Sequence, residues 1–436
     1  MASDTITVSQ RHTGLHAEFC VPGDKSISHR VAILGGLAHG SMRVHNFLCS
    51  TDCLNTLHAM EQLGARVAPL QDIPNSFTLT GVGLNPTPPT SDIDCGNSGT
   101  GMRLLSGVLS ALPFASKLTG DASLCSRPMG RIITPLSGMG AHIQACGAMA
   151  GYAPLMIEGR ELHPICYDLP MASAQVKSAI LLAGMLTSGE TSVRQPALTR
   201  DHTERLFAHF GIPCEVSEDG LFITTRGVDH ITAKDITIPG DISSAAFWIV
   251  AACIVPGSKL TLKRVGLNPT RTAIIDVLRR MGANISITNK VQDSEPYGDI
   301  TVCHTPQLHG TEVRAQEIPN LIDEIPILAI AAAYAQGKTS IHHAAELRVK
   351  ESDRIATTAH NLKEMGGEVE EFGDGMVITG GKPLHGCELQ SYGDHRIAMS
   401  FLIAGLQAVG STTLLNCENI NTSYPGFDEQ LLALTK

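Results

Sequence analysis

Charged side chains in this sequence stand at two kinds of position where packing gives no reason for a charge. Lys25 in PGDKSISHR and Asp323 in LIDEIP each precede an apolar run that predicts a buried helix. Lys350, Glu351 and Arg354 lie together in LRVKESDR, between a predicted strand and a predicted helix. Basic groups bind phosphates and carboxylates, and acids beside them can transfer protons. These residue types therefore indicate acid–base chemistry on an anionic substrate.

Polar entrances to apolar helices recur six times along the chain. They are PGDKSISHR (22–30), CGNSGTGMR (95–103), MASAQVKS (171–178), PGDISSAA (239–246), LIDEIP (321–326) and YGDHRIAM (392–399). The first turn of a helix has free backbone N–H groups and a partial positive charge, so it favours anions. Ordinary N-capping is the alternative, because Ser, Asp and Asn are common caps, and it applies most readily to Asp241 and Ser243.

Each entrance belongs to a longer repeat. After the apolar helix come a glycine, a short strand, a polar loop, an amphipathic helix and two further strands. The anchors of the six copies fall near residues 40, 114, 189, 257, 337 and 410, so the spacing is 68 to 80 residues. A spacing of that size corresponds to a small α/β subdomain and is too long for a solenoid turn. The loops of the repeat hold Arg127, Arg200, Arg271 and Arg354, and recurring loop arginines suggest bidentate anion recognition.

The repeat predicts an α/β protein of two domains, each containing three copies of a βαβαββ unit. The first domain covers 22–238, and the second combines 1–21 with 239–436, because the pattern breaks near Pro239. The last copy is truncated by the end of the chain and lacks its closing strand. A strand at Thr5–Ser9 is expected to fill that place.

Composition excludes several classes of protein. The 436 residues carry a net charge of −10, which argues against a nucleic-acid binder. The longest apolar stretch, 325–335, is too short to span a membrane, and the N-terminus lacks the apolar segment of a secretory signal. The 12 cysteines form neither C-x-x-C pairs nor zinc-type spacings, which is typical of reduced thiols in a cytoplasmic protein. Phosphate-loop and dinucleotide motifs are absent from the sequence, so we expect no metal and no cofactor.

The motifs PGDKSISHR, GNSGTGMRLLSG, GDASLCSRPMGR, ASAQVKSAILLAG, RDHTERL, LRVKESDR and GDHRIAM resemble the 5-enolpyruvylshikimate-3-phosphate synthase family, in order and across all six repeats. The resemblance implies two inside-out α/β barrel domains with the active site in the cleft between them. It implies transfer of the enolpyruvyl (1-carboxyvinyl) group of phosphoenolpyruvate to the 5-hydroxyl of shikimate 3-phosphate, with release of phosphate. The reaction belongs to the shikimate route to chorismate and the aromatic amino acids, and the family uses no metal or organic cofactor.

The resemblance also implies residue roles, which are carried over motif by motif. Asp323 corresponds to the base, Glu351 to the proton donor, and Lys25 to a lysine that contacts both substrates. The implied ligands of shikimate 3-phosphate are Lys25, Ser26, Arg30, Ser173, Ala174, Gln175, Arg200, Asp323 and Lys350. The implied ligands of phosphoenolpyruvate are Lys25, Asn97, Gly99, Thr100, Arg127, Gln175, Glu351, Arg354 and Arg396.

Some positions depart from the common family pattern. Many members have a lysine near the C-terminus where 421–425 reads NTSYP here, and Thr422 cannot supply that charge. Ala174 replaces the second serine of its entrance. Both features resemble the subgroup called class II. Members that tolerate glyphosate can carry alanine in the phosphoenolpyruvate loop, whereas Gly99 stands here, so we expect glyphosate to compete with phosphoenolpyruvate.

Two alternatives remain at this point. The first is a sibling such as UDP-N-acetylglucosamine enolpyruvyl transferase, whose reactive cysteine lies on the loop that here contains Cys125, or another enzyme of the same repeat such as an RNA 3′-phosphate cyclase. The Lys25-Ser26 pair and the KESDR segment argue against both. The second is a repeat scaffold that binds a partner without catalysis, which leaves the loop cations unexplained. A monomer that acts on small molecules, without nucleic acid or membrane partners, is expected.

Overall fold

In the computed structural model, which describes residues 4–435, the chain forms two compact units. The first unit runs from Gly23 to Ile238. The second unit combines the chain up to Pro22 with the chain from Pro239 onward. Each unit has its own cluster of buried apolar side chains. The chain therefore passes from one unit to the other twice.

The helices of the described residues follow the repeat. The α-helices are α1 (Lys25–Gly36), α2 (Thr51–Gln62), α3 (Gly99–Ser110), α4 (Ala122–Cys125), α5 (Gly130–Gly138), α6 (Ala174–Gly184), α7 (His202–Phe210), α8 (Ile242–Ile254), α9 (Ala273–Arg280), α10 (Ile325–Tyr334), α11 (Arg354–Glu364), α12 (His395–Gly405) and α13 (Phe427–Thr435). Short 3₁₀ helices cover Ala315–Asn320, Ile322–Glu324, Ala345–Val349 and Cys417–Thr422.

The strands are short, and each repeat contributes three or four of them to one sheet. They are β1 (Thr5–Ser9), β2 (His16–Cys20), β3 (His39–His45), β4 (Arg66–Pro69), β5 (Phe77–Val82), β6 (Ile93–Asp94), β7 (Ala115–Thr119), β8 (His142–Ala145), β9 (Leu155–Glu158), β10 (Cys166–Asp168), β11 (Glu190–Arg194), β12 (Cys214–Val216), β13 (Phe222–Arg226), β14 (Ile236–Thr237), β15 (Lys259–Gly266), β16 (Asn284–Val291), β17 (Tyr297–Cys303), β18 (Glu312–Val313), β19 (Gly337–Ile341), β20 (Glu368–Phe372), β21 (Gly375–Gly380), β22 (Glu388–Gln390) and β23 (Ser411–Leu415).

The sheets repeat one topology. In the first unit the orders are β14-β3-β5-β4, β6-β7-β9-β8 and β10-β11-β13-β12, and in the second unit they are β2-β15-β17-β16, β18-β19-β21-β20 and β22-β23-β1. In every sheet the leading strand is parallel to its neighbour and the following strand is antiparallel. Antiparallel pairing of β1 with β23 confirms that the N-terminal strand closes the last repeat.

Leading strands are exchanged at the two passages between units. Strand β2 directly precedes α1 of the first unit, but it pairs in parallel with β15 of the second unit. Strand β14 directly precedes α8 of the second unit, but it pairs in parallel with β3 of the first unit. Each unit therefore completes one of its sheets with the strand that precedes a helix of the other unit.

The first helix of each repeat is buried on nearly all sides. All of α8 is buried, and so is α10 apart from its last residue. The second helices are amphipathic: in α9, Ile274, Val277 and Leu278 are buried whereas Arg279 is exposed. Both observations confirm the pattern read from the sequence. Among residues 4–435, no helix is long and apolar enough to cross a membrane.

Candidate active site

The polar entrances form the N-termini of the buried helices. Side chains accept a hydrogen bond from a first-turn backbone N–H in α1, α3, α6, α8 and α12, and these caps are Asp24, Ser98, Ser173, Asp241 and Asp394. In α10 the residue before the helix is Glu324, and its backbone is already helical. The caps place the charged residues of each entrance in or beside the first turn.

Lys25 is the first residue of α1 and makes an ion pair in the first unit. Its Nζ lies 2.5 Å from Oδ2 of Asp52, which is buried in the first turn of α2. The Lys25 side chain is 18% exposed, so the charged end is shielded but can still be reached. The pair connects the N-termini of α1 and α2.

His29 connects α1 with α2 and with the N-cap of α3. It is fully buried, and its Nδ1 lies 2.8 Å from Oγ1 of Thr56 while its Nε2 lies 3.4 Å from Oγ of Ser98. Burial, together with the charges of Lys25 and Arg30, lowers the pKa of His29 well below 6.5. The imidazole is therefore neutral at pH 7 and acts as a hydrogen-bonding link between α1, α2 and α3.

Arg127 is held in place by the loop before α3. Its Nη2 donates to Oδ1 of Asn97 at 2.6 Å and to Oγ of Ser123 at 3.0 Å, and its Nη1 donates to the Asn97 carbonyl at 3.2 Å. The Asn97 amide nitrogen in turn donates to Asp121 at 2.8 Å. Two sequence-predicted residues, Asn97 and Arg127, are thus in direct contact with a fixed orientation.

A second network connects α3 and α6. Gln175 donates through Nε2 to Oγ1 of Thr100 at 2.9 Å, and its Oε1 accepts from Nη1 of Arg103 at 2.7 Å. A Cβ atom on Gly99 would lie 2.8 Å from Nη1 of Arg103 and 3.4 Å from Nη1 of Arg127. The glycine therefore lets two guanidinium groups approach the first turn of α3 closely.

Arg30 lies between α1, α6 and α7. It is buried, and it donates to the Ser26 carbonyl at 2.9 Å, to Oγ of Ser178 at 2.7 Å and to Oγ1 of Thr203 at 2.7 Å. Ser173 caps α6, Ala174 is the first residue of that helix, and the half-buried Arg200 lies just before α7. The implied ligands of the first unit are thus concentrated at the starts of α1, α3, α6 and α7.

Arg354 is the centre of the predicted residues of the second unit. Its side chain is 1% exposed and touches three carboxylates. Nη1 lies 3.2 Å from Oδ1 of Asp323, and Nη2 lies 2.7 Å from Oε2 of Glu351. Nε lies 2.8 Å from Oδ2 of Asp394. One guanidinium group therefore holds the predicted base and the predicted acid on neighbouring nitrogens.

The charges of this cluster stabilise one another. Burial opposes the charged form of Arg354, but the carboxylates of Asp394, Glu351 and Asp323 outweigh it and raise the pKa of the guanidinium. Burial also opposes ionisation of Asp394, yet the charge of Arg354 keeps the pKa of that carboxyl below its usual value of 3.8. Arg354 and Asp394 form a buried ion pair. The less buried carboxylates of Asp323 and Glu351 lie beside this pair.

Lys350 and Arg396 complete the group. Nζ of Lys350 lies 3.7 Å from Oδ1 of Asp323, and Nη1 of Arg396 donates to the Asp323 carbonyl at 3.0 Å. The side chains of Asp323 and Glu351 are 14% and 22% exposed, so part of each acid remains accessible to solvent. The structure thus brings the five predicted residues of this unit together.

Arg271 does not share the position of the other loop arginines. It is buried, and its Nη2 donates to Oγ of Ser243 at 2.8 Å and lies 3.2 Å from Oδ1 of Asp241. Asp241 also caps α8, so ordinary capping describes this entrance well. Cys125 donates from Sγ to the Gly120 carbonyl at 3.4 Å and joins no cluster described above.

Four partners of the predicted residues were missed in the sequence. Asp394, Arg103 and Glu324 stand inside recognised entrances, so a signal for them existed. Asp52 and Glu324 stand at helix starts, where acids are common for reasons of capping and the helix dipole. Their pairing with basic residues far along the chain, 27 positions in the case of Asp52 and Lys25, is set by the packing of helices.

Comparison with known proteins gives one consistent family. The family model described as EPSP synthase (3-phosphoshikimate 1-carboxyvinyltransferase) matches residues 10–431. A 3-phosphoshikimate 1-carboxyvinyltransferase of Akkermansia muciniphila is 63% identical over 425 residues, which cover 96% of this chain and 97% of the relative. The enzyme of the same name from Coxiella burnetii strain RSA 493 is 49% identical over 420 residues, with 95% and 94% coverage.

Solved structures agree with the sequence relatives. An EPSP synthase from Acinetobacter baumannii superposes with a TM-score of 0.87 at 44% identity, covering 99% of this chain and 98% of that one. The enolpyruvyl transferase NikO from Streptomyces tendae gives a TM-score of 0.80 at 20% identity, covering 99% and 97%. The second likeness shows the fold alone, and together they confirm the expected two-domain inside-out α/β class.

Proposed function

The chain belongs to the EPSP synthase family and so transfers the 1-carboxyvinyl group of phosphoenolpyruvate to shikimate 3-phosphate in the shikimate pathway, and we propose that the two residue groups described above bind these substrates and carry out the reaction. The reaction releases phosphate by addition followed by elimination. The observation that carries the proposal is the Arg354 cluster, in which one buried cation contacts both a candidate base and a candidate acid.

Charge matching supports the binding proposal. The two substrates bring two phosphates and two carboxylates, or about six negative charges when each phosphate counts near −2. Seven basic residues are proposed to face them, although the whole chain is acidic: Lys25, Arg30, Arg127, Arg200, Lys350, Arg354 and Arg396. Basic side chains concentrated at these positions are expected where a polyanionic substrate must be bound selectively.

Phosphoenolpyruvate is proposed to bind to arginines from both units. Arg127 is oriented by Asn97, and Gly99 and Thr100 form the start of α3 beside it, a position that favours an anion. Gln175, fixed by Thr100, lies next to the same turn. Lys25, Glu351, Arg354 and Arg396 are proposed to contact the same substrate from their own clusters.

Shikimate 3-phosphate is proposed to use the starts of α1 and α6. Ser26, Arg30, Ser173, Ala174 and Gln175 supply hydroxyl, guanidinium, backbone and amide groups there. Lys25, Arg200, Asp323 and Lys350 complete the proposed set. Because the ligands come from both units, this substrate is expected to draw the units together, and a radius of gyration in solution scattering that stays unchanged at saturation would contradict this.

The proton transfers follow from the positions of the acids. Asp323 takes the proton of the 5-hydroxyl as its oxygen attacks C2 of phosphoenolpyruvate, while Glu351, assisted by Lys25, protonates C3. The tetrahedral adduct then loses a proton from C3 and expels phosphate, which restores the double bond. Arg354 keeps the base and the acid on adjacent nitrogens, so both can act on one adduct.

The decisive assay follows phosphate release from phosphoenolpyruvate with two alternative acceptors. We expect release with shikimate 3-phosphate and none with UDP-N-acetylglucosamine. Release only with the second acceptor would overturn the assignment in favour of the sibling transferase. Absence of release with both acceptors, from folded protein, would favour the scaffold alternative.

Glyphosate is proposed to inhibit by competing with phosphoenolpyruvate, because Gly99 leaves room between two guanidinium groups. An inhibition constant in the millimolar range would contradict this. We further propose a monomeric cytoplasmic enzyme. The 12 cysteines are all free, which suits a reducing compartment, and a single chain supplies both proposed ligand sets.

A further inference from the structure

Glu324 is a buried acid for which the proposed reaction has no role. It directly follows Asp323, and its side chain is inaccessible to solvent. Oε1 accepts a hydrogen bond from Oγ of Ser243 and lies 3.7 Å from Nη1 of Arg396. No donor within residues 4–435 reaches Oε2. Removing a carboxylate from water without full compensation is costly, so its presence here calls for an explanation.

The hydrogen bonds around Glu324 have a defined direction. Nη2 of Arg271 donates to Oγ of Ser243 at 2.8 Å, so the hydroxyl proton of Ser243 is available for Glu324. Asp241 contacts both Ser243 and Arg271. Its Oδ1 accepts a hydrogen bond from the Ser243 backbone N–H at 2.9 Å and lies 3.2 Å from Nη2 of Arg271. The carboxylate of Glu324 is therefore anchored on a rigid, buried support.

The Glu324 carboxylate, which Ser243 and Arg271 hold in place, lies beside the guanidinium group of Arg396. Its Nη1 donates to the Asp323 carbonyl at 3.0 Å and lies beside Oε1 of Glu324. The Arg396 side chain is 12% exposed, so one edge of the guanidinium faces the buried carboxylate while part of it remains open to solvent. A long side chain with many rotamers loses less entropy on binding an anion when it is already held in one orientation.

We propose that Glu324 is a positioning residue that orients Arg396 for the binding of phosphoenolpyruvate, with Ser243 and Arg271 as its support. The inference rests on the proposed function only in naming the anion that Arg396 receives. It also gives Arg271, the loop arginine that lies inside the unit, a role in the site without contact to substrate.

Kinetics of Glu324→Gln test the proposal, because the amide keeps the size of the side chain and removes its charge. We expect kcat/KM for phosphoenolpyruvate to fall about tenfold, mainly through KM, with KM for shikimate 3-phosphate changed less than about twofold. Ser243→Ala, which keeps the charge but removes the anchor, should give a smaller loss. Asp299→Asn is the matched control, since it neutralises another buried acid of the same unit, one paired with Lys263.

A double-mutant cycle with Arg396→Gln separates positioning from a general structural effect. If Glu324 acts through Arg396, Glu324→Gln should cost less than about twofold in the Arg396→Gln background. An equal loss in both backgrounds, or no loss in the single variant, would overturn the proposal.

Side-chain NMR gives a readout that does not depend on turnover. In protein labelled with ¹⁵N-arginine, the Nε–H signal of Arg396, assigned through Arg396→Gln, should become more mobile in Glu324→Gln and stay unchanged in Asp299→Asn. Unchanged order of Arg396 in Glu324→Gln would overturn the inference even if the wild-type enzyme is fully active. Failure of wild-type turnover would instead overturn the proposed function.

Discussion

The two units hold their predicted site cations in different ways. In the first unit, Arg127 donates to amide, carbonyl and hydroxyl oxygens, and Arg30 donates to a carbonyl and two hydroxyls. In the second unit, Arg354 contacts three carboxylates and Arg396 lies beside a fourth. Neutral dipoles orient a cation without cancelling its charge, whereas neighbouring carboxylates offset that charge.

This difference indicates a division of tasks. Hydrogen bonds to neutral oxygens orient Arg127 and Arg30 for a substrate anion, so variants at these two residues should act mainly on substrate affinity. Arg354 holds the proposed base and acid in place, so variants at Asp323 and Glu351 should act mainly on the chemical step. Arg396 contacts neither carboxylate of this pair, and variants at Arg396 should act mainly on the affinity for phosphoenolpyruvate. Lys25 of the first unit is paired with a carboxylate, Asp52, so its task requires a separate test.

Asp323→Asn should have the largest effect. Removal of the base is expected to lower kcat by about 10³-fold, within the range for general acid–base catalysis, with substrate affinities changed only slightly. Stopped assays of phosphate release together with equilibrium binding of shikimate 3-phosphate measure both quantities. A loss seen chiefly in the affinity for shikimate 3-phosphate, with kcat little changed, would contradict the proposed division of tasks between the two units.

Arg127→Lys should act in the opposite way. Lysine keeps the charge but loses the planar fork, so KM for phosphoenolpyruvate should rise roughly tenfold or more while kcat changes little. Arg131→Lys, four residues further along the same segment, is the control. A collapse of kcat at saturating substrate would place Arg127 with the chemistry of the second unit.

Asp52→Asn tests whether Lys25 serves substrate binding or proton transfer. Loss of a close, partly buried ion pair should reduce kcat/KM about tenfold, because Lys25 is no longer held at the start of α1. If Lys25 serves proton transfer, kcat should fall. If it serves binding, KM for both substrates should rise. Asp92→Asn, which removes an exposed ion pair with Lys117, should leave both parameters unchanged.

Gly99→Ala should have a moderate effect on the first unit. The new Cβ would approach Nη1 of Arg103 to 2.8 Å, but that atom ends a flexible side chain, so the cost should be about 1 kcal/mol, or roughly fivefold in KM for phosphoenolpyruvate. Gly138→Ala, where a Cβ meets nothing within 4 Å, is the control. Equal KM values in both variants would show that ligands do not use this turn.

The prediction for His29→Asn concerns the pH dependence of stability and no kinetic constant. The pKa of His29 is lowered in the folded state, so below pH 6.5 the unfolded chain binds a proton that the folded chain does not. The free energy of unfolding should therefore decrease by up to about 1.4 kcal/mol per pH unit below that value. Denaturant titrations at several pH values should show a shallower slope in the variant, and equal slopes would contradict the assignment.

Much of the fold was predictable because the same order of helices and strands recurs six times along the sequence. Apolar helices with polar entrances and the N-terminal closing strand follow from local patterns and are confirmed. The exchange of β2 and β14 was not predicted, because a strand of two to five residues carries no signal that names its partner. Pairing of that kind is decided by the packing of whole units.

The site was predictable in residue types but less so in contacts. Lys350, Glu351 and Arg354 stand out as a charged run, and the structure does place them together with Asp323. The ion pair of Arg354 with Asp394 was not predicted, although its entrance was recognised, because an acid at a helix start satisfies capping without any further role. Buried ion pairs between residues 40 or more positions apart need the folded structure to be seen.

The most direct test of the division of tasks is a single-turnover experiment on Asp323→Asn and Arg127→Lys at increasing phosphoenolpyruvate concentration. We expect Asp323→Asn to bind both substrates normally but to release phosphate slowly at every concentration. We expect Arg127→Lys to approach the wild-type rate once phosphoenolpyruvate saturates. The reverse pattern, with Asp323→Asn restored by saturation and Arg127→Lys slow throughout, would contradict the division of tasks.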